Sequence, residues 1–339
     1  MKTNGSFSSP SDFILVGFSN IPHLQVPMIT AFFVMYLITI VGNLLIIAVI
    51  LSEPNLHNSM YFLLSNLSFV DITYTSATIP KALSNYLSGD PSISFVGCFT
   101  QLYLFVAFAS TEFLLLTAMA YDRYVAICKP LRYSQIMNRE VCLLLSATSW
   151  ILGFVDAAFS RFISLLDFCK SNVINHFSCD LRALFTLSCS STKTIETVVL
   201  IECLLIGMSS FMLTLVSYVR IVSAIFQINS AFGRSKAFST CTSHLTSVIL
   251  FYGSMISVYV RPASVSSLEK DKFFAVLYIA LIPTLNPLIY SLRNKEVKKA
   301  VRIFFTRKTG IISDVTLGLR SSVIPTHSGF IKDRRKAAQ

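Results

Sequence analysis

The chain has 339 residues, of which 53% are hydrophobic and only 13% charged. Soluble domains carry about a quarter charged residues, so this composition excludes a soluble enzyme, a secreted disulfide scaffold and a disordered protein. The formal net charge of +11 is concentrated at the end, where from Arg293 onward 12 Lys/Arg oppose three acids, Glu296, Asp314 and Asp333. A basic tail behind an apolar body suits an anionic membrane leaflet better than nucleic acid.

Taken in chain order, residues 1–25 hold Asn4, Ser6, Ser8, Ser9 and Asp12 without an apolar core, so no cleaved leader is expected. Asn4-Gly5-Ser6 is an N-glycosylation acceptor. The same pattern at Asn66-Leu67-Ser68 falls inside an apolar span and is discounted.

A membrane helix needs about 20 mostly apolar residues. Seven such segments can be read, at 26–51, 59–84, 95–127, 141–164, 196–226, 237–260 and 271–291, the second and third being the least uniformly apolar. The expectation is an all-α, seven-helix transmembrane bundle over 26–291. An extracellular segment, 1–25, precedes it, and a short amphipathic helix with the basic tail, 292–339, follows it. Lys129, Arg132 and Arg139 follow span three, and Arg220, Arg234 and Lys236 are placed in the loop after span five. Lys/Arg-rich loops stay inside, which puts the amino terminus outside.

Cys98, Cys169, Cys179 and Cys189 fall on the oxidising outer side, where four cysteines allow three pairings. Cys128, Cys142, Cys203 and Cys241 fall in spans or at inner edges. Span three carries Phe105, Ala109, Glu112, Leu116, Met119 and Arg123 at steps of four and three, one helical stripe. Span six carries His244, Val248, Tyr252, Met255 and Tyr259 on another, and has Gly253 but no internal proline. The chain has no Gly-rich phosphate loop, no Ser/His/Asp set and no metal-spaced ligands, so no enzyme is expected. It also lacks the internal repeats common in secondary transporters.

Two runs are unusual for membrane helices: Met119-Ala120-Tyr121-Asp122-Arg123-Tyr124-Val125-Ala126-Ile127-Cys128, and Pro283-Thr284-Leu285-Asn286-Pro287-Leu288-Ile289-Tyr290 with Ser291-Leu292-Arg293-Asn294. With Gly42-Asn43, Asp71 and Trp150 they resemble rhodopsin-like G-protein-coupled receptors. The runs Met60–Ser68, Lys129-Pro130-Leu131-Arg132-Tyr133, Ser217-Tyr218 and Lys236–Leu245 narrow the resemblance to olfactory receptors, over about residues 10–305. Ser59 stands where that family usually has proline, which is expected to soften the start of span two, and the tail is longer than usual.

The resemblance implies a plasma-membrane odorant receptor that couples to a heterotrimeric G protein of the olfactory, stimulatory type and signals through cAMP. Arrestin and receptor-trafficking proteins are further partners of such a receptor. It implies disulfides Cys98–Cys179 and Cys169–Cys189. It implies an odorant pocket built from Phe105, Val106, Ala109 and Ser110 of span three, Glu202, Cys203 and Ile206 of span five, Met255 and Tyr259 of span six, and Val276 and Ile279 of span seven. The activation switch would use Asp122, Arg123, Tyr124, Tyr218, His244, Tyr252, Asn286, Pro287 and Tyr290. No cofactor is expected beyond a sodium ion at Asp71, Glu112 and Asn286. The alternative there is a shared proton, since two adjacent buried carboxylates cannot both stay ionised alone. Glu202 and Asp156 are two further acids in the outer half. A cationic ligand, a hydrogen bond from a neutral Glu202, or Arg161 would each compensate them.

Overall fold

The computed structural model describes residues 11–18, 22–259, 268–294 and 296–306. Asn4, the basic tail and the Tyr259 side chain lie outside the described residues.

Seven long helices run antiparallel in sequence order: α1 (Pro22–Ser52), α2 (Ser59–Ser88), α3 (Phe95–Cys128), α4 (Arg139–Phe159), α5 (Lys193–Phe226), α6 (Ala231–Tyr259) and α7. α7 is Leu268–Val276, a π-turn at Leu277–Leu281, and Ile282–Arg293. A π-turn at Cys203–Met208 likewise interrupts α5. A last helix, α8 at 296–306, buries Val297 and Ala300 while Glu296, Lys298 and Lys299 are exposed, an amphipathic pattern.

Side-chain caps set where the helices start. Asn58 accepts from the Tyr61 amide at 3.4 Å ahead of α2, Ser94 from Gly97 at 3.1 Å ahead of α3, and Asn138 from Val141 at 2.9 Å ahead of α4. The start of α2 is therefore not softened by Ser59, whose hydroxyl donates to the Met137 carbonyl at 3.0 Å and ties α2 to the loop before α4.

The outside of this bundle is oily and its inside partly polar, the reverse of a soluble protein. Leu37, Val41 and Leu44 of α1, Leu144, Ile151 and Val155 of α4, and Leu205, Leu213 and Val216 of α5 are exposed. Thr39, Asn43, Asp71, Glu112, Asp122, Arg123, His244 and Asn286 are buried. Five of the helices are long and apolar enough to cross a membrane: Gln25–Ser52, Phe95–Cys128, Arg139–Leu165, Lys193–Phe226 and Lys272–Ser291. α2, one of the two spans read as least uniformly apolar, and α6 fall outside this set, and the first half of α6 carries Arg234, Lys236, Ser239, Thr240, Thr242 and Ser243. Residues 227–230 are all that separates α5 from α6, so Arg220 sits in α5 and Arg234 and Lys236 in α6, not in a loop.

The expectation of an all-α chain needs one correction. Three short strands form a sheet of order β2-β1-β3, from β1 (Asp12–Leu15), β2 (Ser92–Ser94) and β3 (Val173–Ile174). β1 pairs antiparallel with β2 and parallel with β3. Alternation explains it: Phe13 and Leu15 point into a core with Leu102, Ile163, Phe168 and Ile174, while Asp12 stays outside. Cys98 is joined to Cys179 with Cα atoms 5.4 Å apart, and Cys169 to Cys189 at 5.8 Å. Gln101 reinforces the first bridge, its Oε1 accepting from the Cys179 amide at 2.8 Å and its Nε2 donating to the Ala77 carbonyl at 2.9 Å.

Two glycines allow helices to approach closely. A Cβ on Gly42 of α1 would sit 2.8 Å from the Pro287 ring of α7. A Cβ on Gly153 of α4 would strike Thr111 Oγ1 and lie 2.7 Å from the Ala107 carbonyl oxygen of α3. Backbone atoms cannot step aside as a flexible side chain can, so Gly153→Val should push α4 off α3 and abolish surface expression measured by flow cytometry. Gly207→Ala, with nothing within 4 Å of the added atom, should express normally; equal expression of the two would refute this packing.

Candidate functional site

The α3 stripe is the axis on which the candidate residues meet. In the half of the bundle nearest the sheet, Phe105 stacks on Tyr74 with ring centres 5.2 Å apart and tilts against Tyr278 of α7 at 5.8 Å. Ala109, Met255 and Ile279 are buried in the same core, with Val276 packed against it. Val106 turns to the neighbouring core under the sheet. On the α4 side, the Ser110 hydroxyl donates to Asp156 at 2.5 Å. Glu202 stands just before the π-turn of α5, half-buried, with Oε1 shut from solvent and without a hydrogen-bond partner. Among the described residues Arg161 pairs with neither acid, because the one ion pair there joins Arg123 to Asp122. Cys203 is exposed and Ile206 half-buried on the π-turn itself.

About two turns beyond Phe105 along α3 lies a polar centre. Asn286 Nδ2 of α7 donates to both carboxylate oxygens of Asp71 on α2, at 3.2 and 3.1 Å. Glu112 of α3 is fully buried, and neither of its carboxyl oxygens has a hydrogen-bond partner. Asn286 Oδ1 is also buried without a hydrogen-bond partner, and the Tyr290 and Tyr252 hydroxyls are shut from solvent. Tyr252 packs at a tilt against Phe113 at 5.4 Å and Phe211 at 5.3 Å, linking α6 to α3 and α5.

Nearer the far end, His244 of α6 is a three-helix knot. Its Nε2 lies 3.1 Å from the Leu116 carbonyl of α3 and its Nδ1 2.7 Å from the Tyr218 hydroxyl of α5. A carbonyl only accepts, so Nε2 carries the proton and Nδ1 receives the tyrosine's. At the end of the stripe Arg123 grips its neighbour Asp122 through two nitrogens. The Tyr133 hydroxyl, from the short helix Tyr133–Ile136, donates to the other Asp122 oxygen at 2.8 Å. Burial pushes the Tyr133 phenol up to about 12, so it stays protonated and donating throughout the physiological range. Tyr124 sits beside this group, half-buried, with the Lys129 ammonium 5.7 Å above its ring.

The sequence model of the olfactory receptor family matches residues 32–308. The chain is 48% identical to human olfactory receptor 1L4 over 89% of its own length and 97% of that protein. It is 47% identical to human olfactory receptor 1L6, covering 89% and 87%, and 48% identical to human olfactory receptor 8I2, covering 89% and 98%. The chain belongs to the olfactory receptor family. This receptor is accordingly a multi-pass plasma-membrane protein and not an enzyme, with odorant ligands and G-protein coupling as its business.

Several partners in the receptor went unassigned in the sequence. Asn66, set aside as an unusable glycosylation site, accepts from Ser146 at 2.9 Å and from the Trp150 indole at 3.1 Å, joining α2 to α4. Tyr133 stood in a quoted motif without a role. Lys272, invisible by pattern, is fully buried and donates to the Gly17 carbonyl at 2.8 Å.

Because Tyr133 supplies one of the bonds that hold Asp122, Tyr133→Phe should loosen the Arg123–Asp122 group by about 1 kcal/mol. Basal G-protein activation should rise several-fold at equal surface density, measured as guanine-nucleotide exchange in membranes of unstimulated cells. Unchanged basal exchange would mean that Tyr133 only packs.

Proposed function

We propose that the receptor crosses the membrane seven times with its sheet end outside, binds small organic odorants in the sheet-side half of the bundle, and activates an olfactory, stimulatory G protein at the other end. The observation that carries this reading is the α3 stripe. It runs from Phe105 to Arg123, about 27 Å at 1.5 Å per residue, through the interior of the bundle by way of Ala109, Glu112, Leu116 and Met119.

The odorant site in this reading lies between Phe105, Ala109 and Ser110 of α3, Glu202 and Ile206 of α5, Met255 of α6 and Ile279 of α7. Such a pocket is apolar with a few anchors, Ser110 and Glu202 here. The switch comprises Asp122, Arg123, Tyr218, His244 and Tyr290. A ligand that favours one arrangement of α5 and α6 over another shifts the population of G-protein-competent receptor by its differential affinity. Arrestin and trafficking proteins belong to the same reading as partners of the cytoplasmic face.

A panel of neutral and charged odorants applied to reporter cells tests it. Cyclic AMP should rise with at least one odorant, and Arg123→Ala should abolish the rise at equal surface density. Substrate uptake without cAMP, or a response indifferent to Arg123, would overturn it.

The polar centre suits a monovalent cation. Glu112 Oε1 and Oε2 and Asn286 Oδ1 are unpartnered hard oxygen acceptors, and Asn286 also holds the Asp71 carboxylate. Sodium held there would offset one of the two carboxylate charges and stabilise the arrangement in which Asp71 and Asn286 meet. Replacing sodium by a bulky organic cation should raise basal cAMP in membranes of the wild type and leave Glu112→Gln unaffected. A wild type indifferent to sodium would assign the compensation to a shared proton.

A further inference from the structure

Three donors meet on one side-chain oxygen at the Arg123 end of α7. Along its middle α7 is held to α1 and α2: Thr284 to Thr39 at 3.0 Å, the Pro283 carbonyl to Asn43 Nδ2 at 3.3 Å, and Asn286 to Asp71. From Pro287 the helix runs about two more turns to Asn294, where the backbone becomes extended at φ −78 and ψ 111. There Asn294 Oδ1 accepts from the Glu296 amide at 3.0 Å and the Val297 amide at 3.3 Å, which caps α8. The same oxygen accepts from the Tyr61 hydroxyl of α2 at 3.3 Å. The Asn294 amide donates to the Tyr290 carbonyl at 3.3 Å, so this residue is tied to the turn of α7 that bears Tyr290.

Tyr61 is set on a fixed post. Its own amide is capped by Asn58, the Ser59 hydroxyl anchors the same turn to the Met137 carbonyl, and its ring is buried in the main core. A carbonyl oxygen has two lone pairs, so the tyrosine and the two α8 amides share Asn294 Oδ1. Loss of the hydroxyl alone therefore leaves the α8 cap in place and cuts only the tie between α2 and α7. Replacing the amide by a carboxylate would keep the cap, since Asp and Asn serve alike there, and would strengthen the tie, since a charged acceptor binds a hydroxyl more tightly. Tyr61 and Asn294 can thus be altered in opposite directions without unmaking a helix.

We propose that Tyr61 is a positioning residue of receptor activation: through Asn294 its hydroxyl holds the Tyr290-bearing end of α7 against α2 at rest, and this bond is released when the receptor activates. The inference rests on the switch described under the proposed function. In that reading the arrangement with Arg123 on Asp122 and Tyr218 on His244 is the resting one, and a bond made in it opposes leaving it. Tyr61 acts on the switch only through Asn294. Any displacement that carries Tyr290 away from α2 takes Asn294 with it and must break the bond to Tyr61. The resting population is favoured by the strength of that bond.

The test is a double-mutant cycle on the full-length receptor, read as basal guanine-nucleotide exchange per surface receptor in membranes of unstimulated cells. Tyr61→Phe should raise basal exchange about two- to tenfold, the shift that one ordinary hydrogen bond supports. Asn294→Asp should lower it in the wild-type background and have no effect once the Tyr61 hydroxyl is gone. Unchanged exchange in Tyr61→Phe, or an Asn294→Asp effect that is equal with and without the hydroxyl, would overturn the proposal. Should Tyr61→Phe fail to reach the surface, Asn294→Asp decides alone, and exchange at or above the wild-type level would overturn it. A second measurement needs no G protein: amide hydrogen exchange of the receptor in nanodiscs. Tyr61→Phe should speed exchange in the peptide spanning residues 288–294 and leave residues 298–306 as in the wild type; equal exchange in both peptides would again overturn the proposal. Nucleotide exchange that ignores every odorant and Arg123→Ala would sink the proposed function instead, and the nanodisc comparison would then judge the tie by itself.

Discussion

Hydrocarbon cannot hydrogen-bond, so each polar group carried into the bundle must find a partner on another helix or be left unpaired at a cost. α3 carries the most such groups and so dictates who its neighbours are. Ser110 reaches Asp156 of α4, Thr117 reaches the Ser210 carbonyl of α5 at 3.2 Å, and the Leu116 carbonyl is met by His244 of α6. Each such bond is worth about 0.6–2 kcal/mol in a membrane. Together they fix the rotation of α3 about its own axis, which no apolar contact with lipid-like neighbours could do. Glu112, on the same stripe, is the exception. Its carboxyl group lies inside the bundle with neither oxygen hydrogen-bonded, which is why the proposed sodium ion or a proton is needed there.

Helix positions were largely legible in the sequence because they depend on a local property, an apolar run bounded by caps. Seven runs became seven helices, with α2 extending to Ser88 and α4 giving way to a 3-10 stretch at Ser160–Leu165. The α3 and α6 stripes were legible for the same reason: a 3.6-residue period places Glu112 with Arg123 and His244 with Tyr252 on one face whatever surrounds them. What the sequence hid were partners contributed by distant segments. Lys272 and Gly17 are 255 residues apart, and Asn66 and Trp150 are 84 apart. β1 was hidden for a similar reason. Four residues of alternating pattern are too short a signal to distinguish from a polar lead-in, and the strand exists only because β2 and β3 flank it.

Small residues work where polar ones cannot. Gly42 against Pro287 and Gly153 against Thr111 let α1 meet α7 and α4 meet α3 at backbone distance, a mode of association suited to a medium in which burying apolar surface gains nothing. Composition thus separates along the bundle by task. Large apolar side chains fill the core as well as the outer face, small ones sit where helices cross, and polar ones lie where rotation must be specified.

The two ends of the molecule are held by different chemistry, and this decides which of them can move. At the sheet end the Cys98–Cys179 bridge, the strands around β1, Gln101 and the buried Lys272 tie α2, α3, α7 and the intervening segments together. At the Arg123 end the ties are Arg123 to Asp122, Tyr133 to Asp122, and Tyr218 to His244. Each is a hydrogen bond or ion pair that can be exchanged for another at similar energy. Only four residues link α5 to α6 there, so the two must shift as a coupled pair. The interruption of α5 by the π-turn at Cys203–Met208 lies between the two regimes. π-turns frequently mark functional positions. A ligand pressing on Glu202 or Ile206 therefore acts where α5 is already irregular, with a fixed cap on one side and an exchangeable hydrogen-bond set on the other. In the proposed reading, a displacement begun there would run along α5 to Tyr218, whose bond to His244 would be the first to be exchanged.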